Sequence, residues 1–266
     1  MKVKKELHTL IDSESFKLLE LLAANSSRKK GQVIDDMLEK FQVFGSEIRP
    51  ITFSDLNLSM KRIPTGISGL DELLDGGFPV SFLISVSGEP GSGKTIFGLQ
   101  FLLGSQDKGM LFTFDEDASQ LRKHAFQFGC DLSKSVKSGH ILIFNQKTIC
   151  VQDILDRIIE NKPKRVVIDS VAANCPDSDE PTAWYPLIAE LKRSGATCLL
   201  ITRCNENGKS NVFESRSDGA IHLEMAISKD QWERFIIIRK MRATPLERVR
   251  IPFRITDKGI TPDSGK

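Results

Sequence analysis

From residue 61 onward, short apolar runs alternate with stretches whose apolar residues recur at helical spacing. The runs at 82–86, 110–114, 140–144, 165–168 and 197–202 are continuous enough to be strands buried on both faces. Helical patterns near 94–104, 118–128, 151–161 and 182–193 separate them. Such alternation predicts a parallel sheet with helices on its faces. After Ser217 the helical pattern stops, and strand-like runs follow at 220–225, 234–241 and 249–255. The expected fold class is therefore α/β, a mostly parallel central sheet ending in antiparallel strands.

Residues 1–45 follow a different pattern. Residues 2–11 are β-compatible, and Ser13 is placed to cap a helix carrying Phe16, Leu18, Leu19, Leu21 and Leu22 on a broad stripe. Turn chemistry at 25–31 interrupts it, and a second amphipathic helix then carries Val33, Ile34, Met37, Leu38 and Phe41 on one face. The stretch 45–59 mixes Gly, Pro, Ser and Asn, and residues 46–60 read as a linker. Three parts are expected: a strand-helix-helix module over 1–45, the linker, and the α/β domain over 61–266.

Composition narrows the class. Hydrophobic residues make up 40% and charged residues 27% of the 266, ordinary for a soluble globular chain. No apolar run approaches the ~20 residues of a membrane span, and the N-terminus lacks the apolar stretch of a secretory signal. A cytoplasmic location without membrane contact is expected. The five cysteines include no CxxC pair and are odd in number, which argues against a zinc site or disulfide framework. They read instead as small buried apolar side chains. The net charge of +2 does not imply nucleic acid, although residues 229–258 hold nine Lys/Arg against four Asp/Glu. A solvated strand face is the simplest account of that excess.

One segment carries chemistry directly. Gly88-Glu-Pro-Gly-Ser-Gly-Lys-Thr95 satisfies GxxxxGKT, with an apolar strand before it and a good helix after it. Glycines let such a backbone curl until successive N–H groups face one phosphate cluster, and the helix N-terminus adds partial positive charge. Gly88, Glu89, Gly91, Ser92, Gly93, Lys94, Thr95 and Ile96 are the expected ATP contacts. Lys94 would reach the β- and γ-phosphates and the Thr95 hydroxyl would ligate Mg²⁺. The apolar strand Lys164-Arg-Val-Val-Ile-Asp169 ends in an acid that would hold the hydrated Mg²⁺.

Hydrolysis also needs a group to orient or deprotonate water. The strand at 110–114 is followed by Asp115, Glu116 and Asp117. If that strand neighbours the P-loop strand, these carboxylates point toward the γ-phosphate. They would equally suit a helix N-terminus, where acids complement the dipole. The local sequence leaves both open.

The motifs taken together resemble the KaiC-like branch of the RecA-superfamily P-loop ATPases, of the archaeal RadA-paralogue type. Residues 62–79, Arg-Ile-Pro-Thr-Gly-Ile-Ser-Gly-Leu-Asp-Glu-Leu-Leu-Asp-Gly-Gly-Phe-Pro, are similar to that family's opening. Similar segments follow in order at 87–95, 111–116, 128–132, 167–170, 195–197, 218–223, 240–242 and 255–260. The resemblance implies that Asp115 and Glu116 stand where the family activates water. Asp replaces the usual first Glu, so Glu116 is the chief candidate. It also implies that Lys240 and Arg242 reach across a subunit boundary to a neighbour's γ-phosphate, in a homo-oligomer such as a dimer or hexamer. Two departures stand out. Ser81 occupies a place usually held by Gly, and the strand ending at Arg203-Cys204 lacks the acid often found there.

Residues 2–44 resemble a ribbon-helix-helix DNA-binding module. The resemblance implies strand contacts from Lys4, Lys5 and His8, and phosphate contacts from Arg28, Lys29, Lys30 and Gly31 before the second helix. Eight Lys/Arg against seven Asp/Glu make the segment nearly neutral, and dimerisation is the alternative role. The expectation is a slowly hydrolysing Mg-ATPase associated with DNA in recombination, repair or remodelling. The alternative is an ATP-sensing regulator whose nucleotide state (ATP or ADP) controls oligomerisation or transcription.

Overall fold

The computed structural model describes residues 60–114, 117–145, 151–169, 185–203, 212–228, 231–246 and 250–263. The N-terminal module, with Lys4, Lys5, His8, Arg28, Lys29, Lys30 and Gly31, lies outside the described residues, as do Asp115 and Glu116.

The apolar runs form strands because their β-branched and aromatic side chains fill two cores at once. Parallel strands β3 (Leu83–Gly88), β4 (Gly109–Thr113), β5 (Ile141–Asn145), β6 (Arg165–Asp169) and β7 (Thr197–Arg203) are followed by β8 (Gly219–Ser228), β9 (Gln231–Met241), β10 (Arg250–Thr256) and β11 (Gly259–Pro262). They make one nine-stranded sheet ordered β11-β10-β9-β8-β3-β7-β6-β4-β5, antiparallel from β8 outward through β11. A small antiparallel pair, β1 (Arg62–Ile63) and β2 (Phe78–Pro79), precedes it. The helices are α1 (Leu70–Leu73), α2 (Lys94–Leu103), α3 (Ala118–Gln127), α4 (Ser133–Lys137), α5 (Val151–Asn161), α6 (Tyr185–Arg193) and α7 (Val212–Arg216).

Alternation along each strand sorts residues between the two faces. Ile84, Val86, Leu111, Val167, Leu199, Ile201, Ile236 and Ile238 enter the core under α2 and α3. Leu83, Met110, Phe112, Val166, Ile168, Cys198 and Leu200 enter the one under α5 and α6. Helix α2 lies close on the sheet because Gly98 has no side chain. A Cβ there would sit 2.9 Å from Val167 Cγ1 and 3.0 Å from Ile201 Cδ1. That close approach fixes the start of α2, and so the P-loop, relative to β6 and β7.

One expectation needs correction, and one condition that the sequence left open is not met. The strand at 140–144 is not buried on both faces: as β5 it is the edge strand, with one neighbour, and is only partly buried after Ile141. The strand at 110–114 does not neighbour the P-loop strand. β7 and β6 intervene, and β4 pairs with β6, placing Thr113 opposite Asp169. Crossover connections put consecutive strands apart, so chain order does not give sheet order. Cys130 and Cys198 are buried free thiols, and burial raises their pKa values to about 11 and about 12.

The departure at Ser81 is accommodated locally. Its φ is +64°, a conformation costing a non-glycine residue about 1–2 kcal/mol. Its N–H donates to Thr197 Oγ1 at 3.1 Å and its hydroxyl to the Gly195 carbonyl at 3.0 Å, holding the turn in place.

Candidate functional site: a P-loop cavity

The loop from Gly88 to Gly93 leaves β3 and enters α2 with positive φ at Gly91 (+79°) and Gly93 (+100°), turning its backbone back on itself. Lys94 folds over this loop. Its ammonium donates to the Gly88 and Glu89 carbonyls at 2.8 and 2.7 Å. Ser92 is fully buried, and its hydroxyl is among the described buried groups without a hydrogen-bond partner.

A cavity of about 770 Å³ opens beside the loop. Pro90, Gly91, Gly93, Lys94, Thr95 and Ile96 line one wall, and Asp169 at the end of β6 lies on the same cavity. Asp169 is only 6% exposed. A hydroxyl, a buried carboxylate and a lysine around a loop of curled backbone are the donor set that a magnesium polyphosphate requires. Of the expected ATP and metal residues, the cavity therefore gathers Gly91, Gly93, Lys94, Thr95, Ile96 and Asp169. Gly88, Glu89 and Ser92 shape the loop without lining the cavity.

Several lining residues carry no motif. Leu121, His124, Ala125, Gln127 and Phe128 come from α3 and its end, with Leu99 and Ile255 beside them. Leu99, Leu121, Ala125, Phe128 and Ile255 give the cavity an apolar part. Arg203 and Arg234 also line it, and the Arg234 guanidinium donates to the Gly91 carbonyl at 3.4 Å. Strand parity points to these two arginines. Arg203 at the end of β7 and Arg234 near the start of β9 each continue the alternation that sends Ile201 and Ile236 under α2.

The three-acid run now divides. Asp117 is the N-cap of α3, its Oδ1 accepting from Ser119 N–H at 2.8 Å and Gln120 N–H at 2.9 Å. Those backbone hydrogen bonds, Gln120's first, hold its carboxyl below the usual range. Helix capping thus accounts for the third acid.

Lys240 and Arg242 stand far from this chain's own P-loop. Met241 pairs with Gly219, which is opposite Ile84 at the start of β3, whereas the loop leaves the other end. A register irregularity between Ala220 and Ile221 sends Met241 into the α2-side core, which puts Lys240 on the opposite face. Lys240 Nζ donates to the Ser217 carbonyl at 2.6 Å, and Arg242 pairs with Asp218 at 3.1 Å. Asp218 also accepts from Lys192 at 2.8 Å and from the Leu83 N–H at 3.2 Å. Burial first, then Arg242, lowers the Lys240 pKa.

The arginines of the 229–258 stretch are largely matched by acids. Arg239 pairs with Glu214, Arg250 with Glu224 and Arg254 with Asp263, at 3.3, 2.7 and 3.2 Å.

A family model for the KaiC ATPase matches residues 63–263, spanning both the P-loop and the antiparallel strands. The chain belongs to the KaiC ATPase family. Membership supports nucleotide binding and ATPase activity. The UPF0273 protein of Thermotoga maritima is 33% identical over 232 residues, 76% of this chain and 95% of that protein. The circadian clock oscillator protein KaiC of Synechococcus elongatus is 30% identical over 76% of this chain, which spans only 44% of that longer protein. A crystal structure of a KaiC-like protein from Pyrococcus horikoshii superposes with a TM-score of 0.69 at 30% identity, covering 77% of this chain and all of that one. Its likeness bears out the RecA-like sheet. Among the described residues no helix is long and apolar enough to cross a membrane.

Proposed function

We propose that this KaiC-family chain binds MgATP in the P-loop cavity and hydrolyses it slowly through Glu116, with Asp115 beside it. The observation that carries the reading is the convergence of Lys94, Thr95 and Asp169 on one cavity with an apolar part of its own. Thr95 and Asp169 would hold Mg²⁺, which when bound neutralises charge on the phosphates. Lys94 would exchange its loop carbonyls for phosphate oxygens. The apolar part would take the base. Glu116 follows β4, whose Thr113 is opposite Asp169, and this neighbourhood supports a role in orienting water.

The far placement of Lys240 and Arg242 supports a homo-oligomer. Any γ-phosphate they serve belongs to a neighbouring subunit, to which they would supply positive charge. Arg242→Ala and Glu116→Gln should each lower turnover while sparing nucleotide binding. Mixed in equal amounts, they should regain activity at about one interface in four, where an intact base meets an intact arginine. Phosphate release from the mixture measures this. A monomer with full activity at every concentration would end the trans assignment.

Association with DNA is proposed for the N-terminal module, on the Arg28–Lys30 cluster of the sequence. Ion pairing of Arg239, Arg250 and Arg254 with acids makes the 229–258 stretch a weaker alternative.

A further inference from the structure

We propose that Arg203 reads the third phosphate of the bound nucleotide, so that the chain distinguishes a nucleoside triphosphate from a diphosphate within one subunit. The inference rests on the P-loop reading of the cavity given above.

β7 lies between β3, which carries the P-loop, and β6, which carries Asp169. Arg203 is its last residue and pairs in register with Gly88, where the loop begins. On its other side β7 pairs Leu200 with Ile168, so Asp169 lies level with Ile201. Arg203 therefore stands two residues beyond Asp169, about 6–7 Å further out along the strand direction. Parity sets its face. Leu199 and Ile201 are buried under α2, so Arg203 continues on that side, as Asp169 continues from Val167. Its side chain is exposed, and it lines the same cavity as Lys94, Thr95 and Asp169.

Charge and position then select a ligand. The curled loop and Lys94 would already serve a diphosphate. A third phosphate adds negative charge, and Arg203 lines the same cavity as Thr95 and Asp169, the residues that would hold the metal, from the strand next to β6. A guanidinium on the strand between P-loop and metal carboxylate meets that charge with two parallel donors. A carboxylate at the same place would repel it. Arg234 does not share this position. It comes from β9, beyond β8 on the other side of β3.

Calorimetric titration of the full chain with ADP, ATP and a non-hydrolysable ATP analogue, all with Mg²⁺, tests the assignment. Arg203→Gln should lose about tenfold in affinity for both triphosphates and less than about twofold for ADP. Arg203→Lys should fall between Gln and the wild type for the triphosphates. Retained ADP affinity shows in the same experiment that the variant is folded. An Arg203→Gln protein with the wild-type ratio of ATP to ADP affinity overturns the inference and leaves the P-loop reading standing. A wild-type chain that binds neither nucleotide overturns both.

Discussion

Glu116→Gln should lower ATP turnover by about 10²–10³-fold while leaving MgATP affinity within about twofold of the wild type. The amide keeps the size of the carboxylate and can still accept one hydrogen bond from water. It cannot take the proton that the attacking water must lose. The two neighbouring acids divide differently. Asp117 is committed to Ser119 and Gln120 at the start of α3, so Asp117→Ala should lower helix stability and not chemistry. Single-turnover phosphate release, measured beside nucleotide affinity, separates the roles. Undiminished turnover in Glu116→Gln would remove it from the chemistry.

Arg165→Ala should destabilise the α/β domain by about 3 kcal/mol, lowering its melting temperature by about 6–12 °C. Arg165 opens β6 and is fully buried. Its guanidinium donates to the Pro64 carbonyl at 2.8 Å and to the Phe101 carbonyl, and lies 4.7 Å over the Phe101 ring. It also pairs with Asp107 at 3.8 Å. Burial lowers its pKa to about 10, so it remains charged at neutral pH. One side chain thus ties β6 to the end of α2 and to the segment before α1. Truncation leaves two carbonyls short of a donor and opens a cavity between these elements. Thermal unfolding followed by circular dichroism reads the effect. A melting temperature within about 2 °C of the wild type would show that these contacts add little.

Strands β3, β4, β6 and β7 were legible because their apolar runs are continuous, the pattern of strands covered on both faces. β11 was missed, since four residues after a turn at Asp257 and Lys258 leave too short a run to register. Short helices α1, α4 and α7 escaped for the same reason. Within the site, Lys94, Thr95 and Asp169 were legible because phosphate and metal chemistry dictate residue type and local spacing. His124, Gln127 and Phe128 were not. Their place in the cavity follows from how α3 packs against α2 and the sheet, which no local pattern encodes. Arg203 and Arg234 fall between these cases, since parity reaches them only after the strands are known.

Binding of MgATP at the P-loop cavity is the step on which turnover and subunit coupling both depend. Equilibrium titration of the full chain should give saturable binding of one nucleotide per chain, dependent on Mg²⁺. Lys94→Ala should weaken that binding roughly 10–100-fold, the effect of losing a charge-assisted phosphate contact. Absence of saturable binding to the wild type, or unchanged affinity in Lys94→Ala, would contradict the assignment of this cavity to ATP.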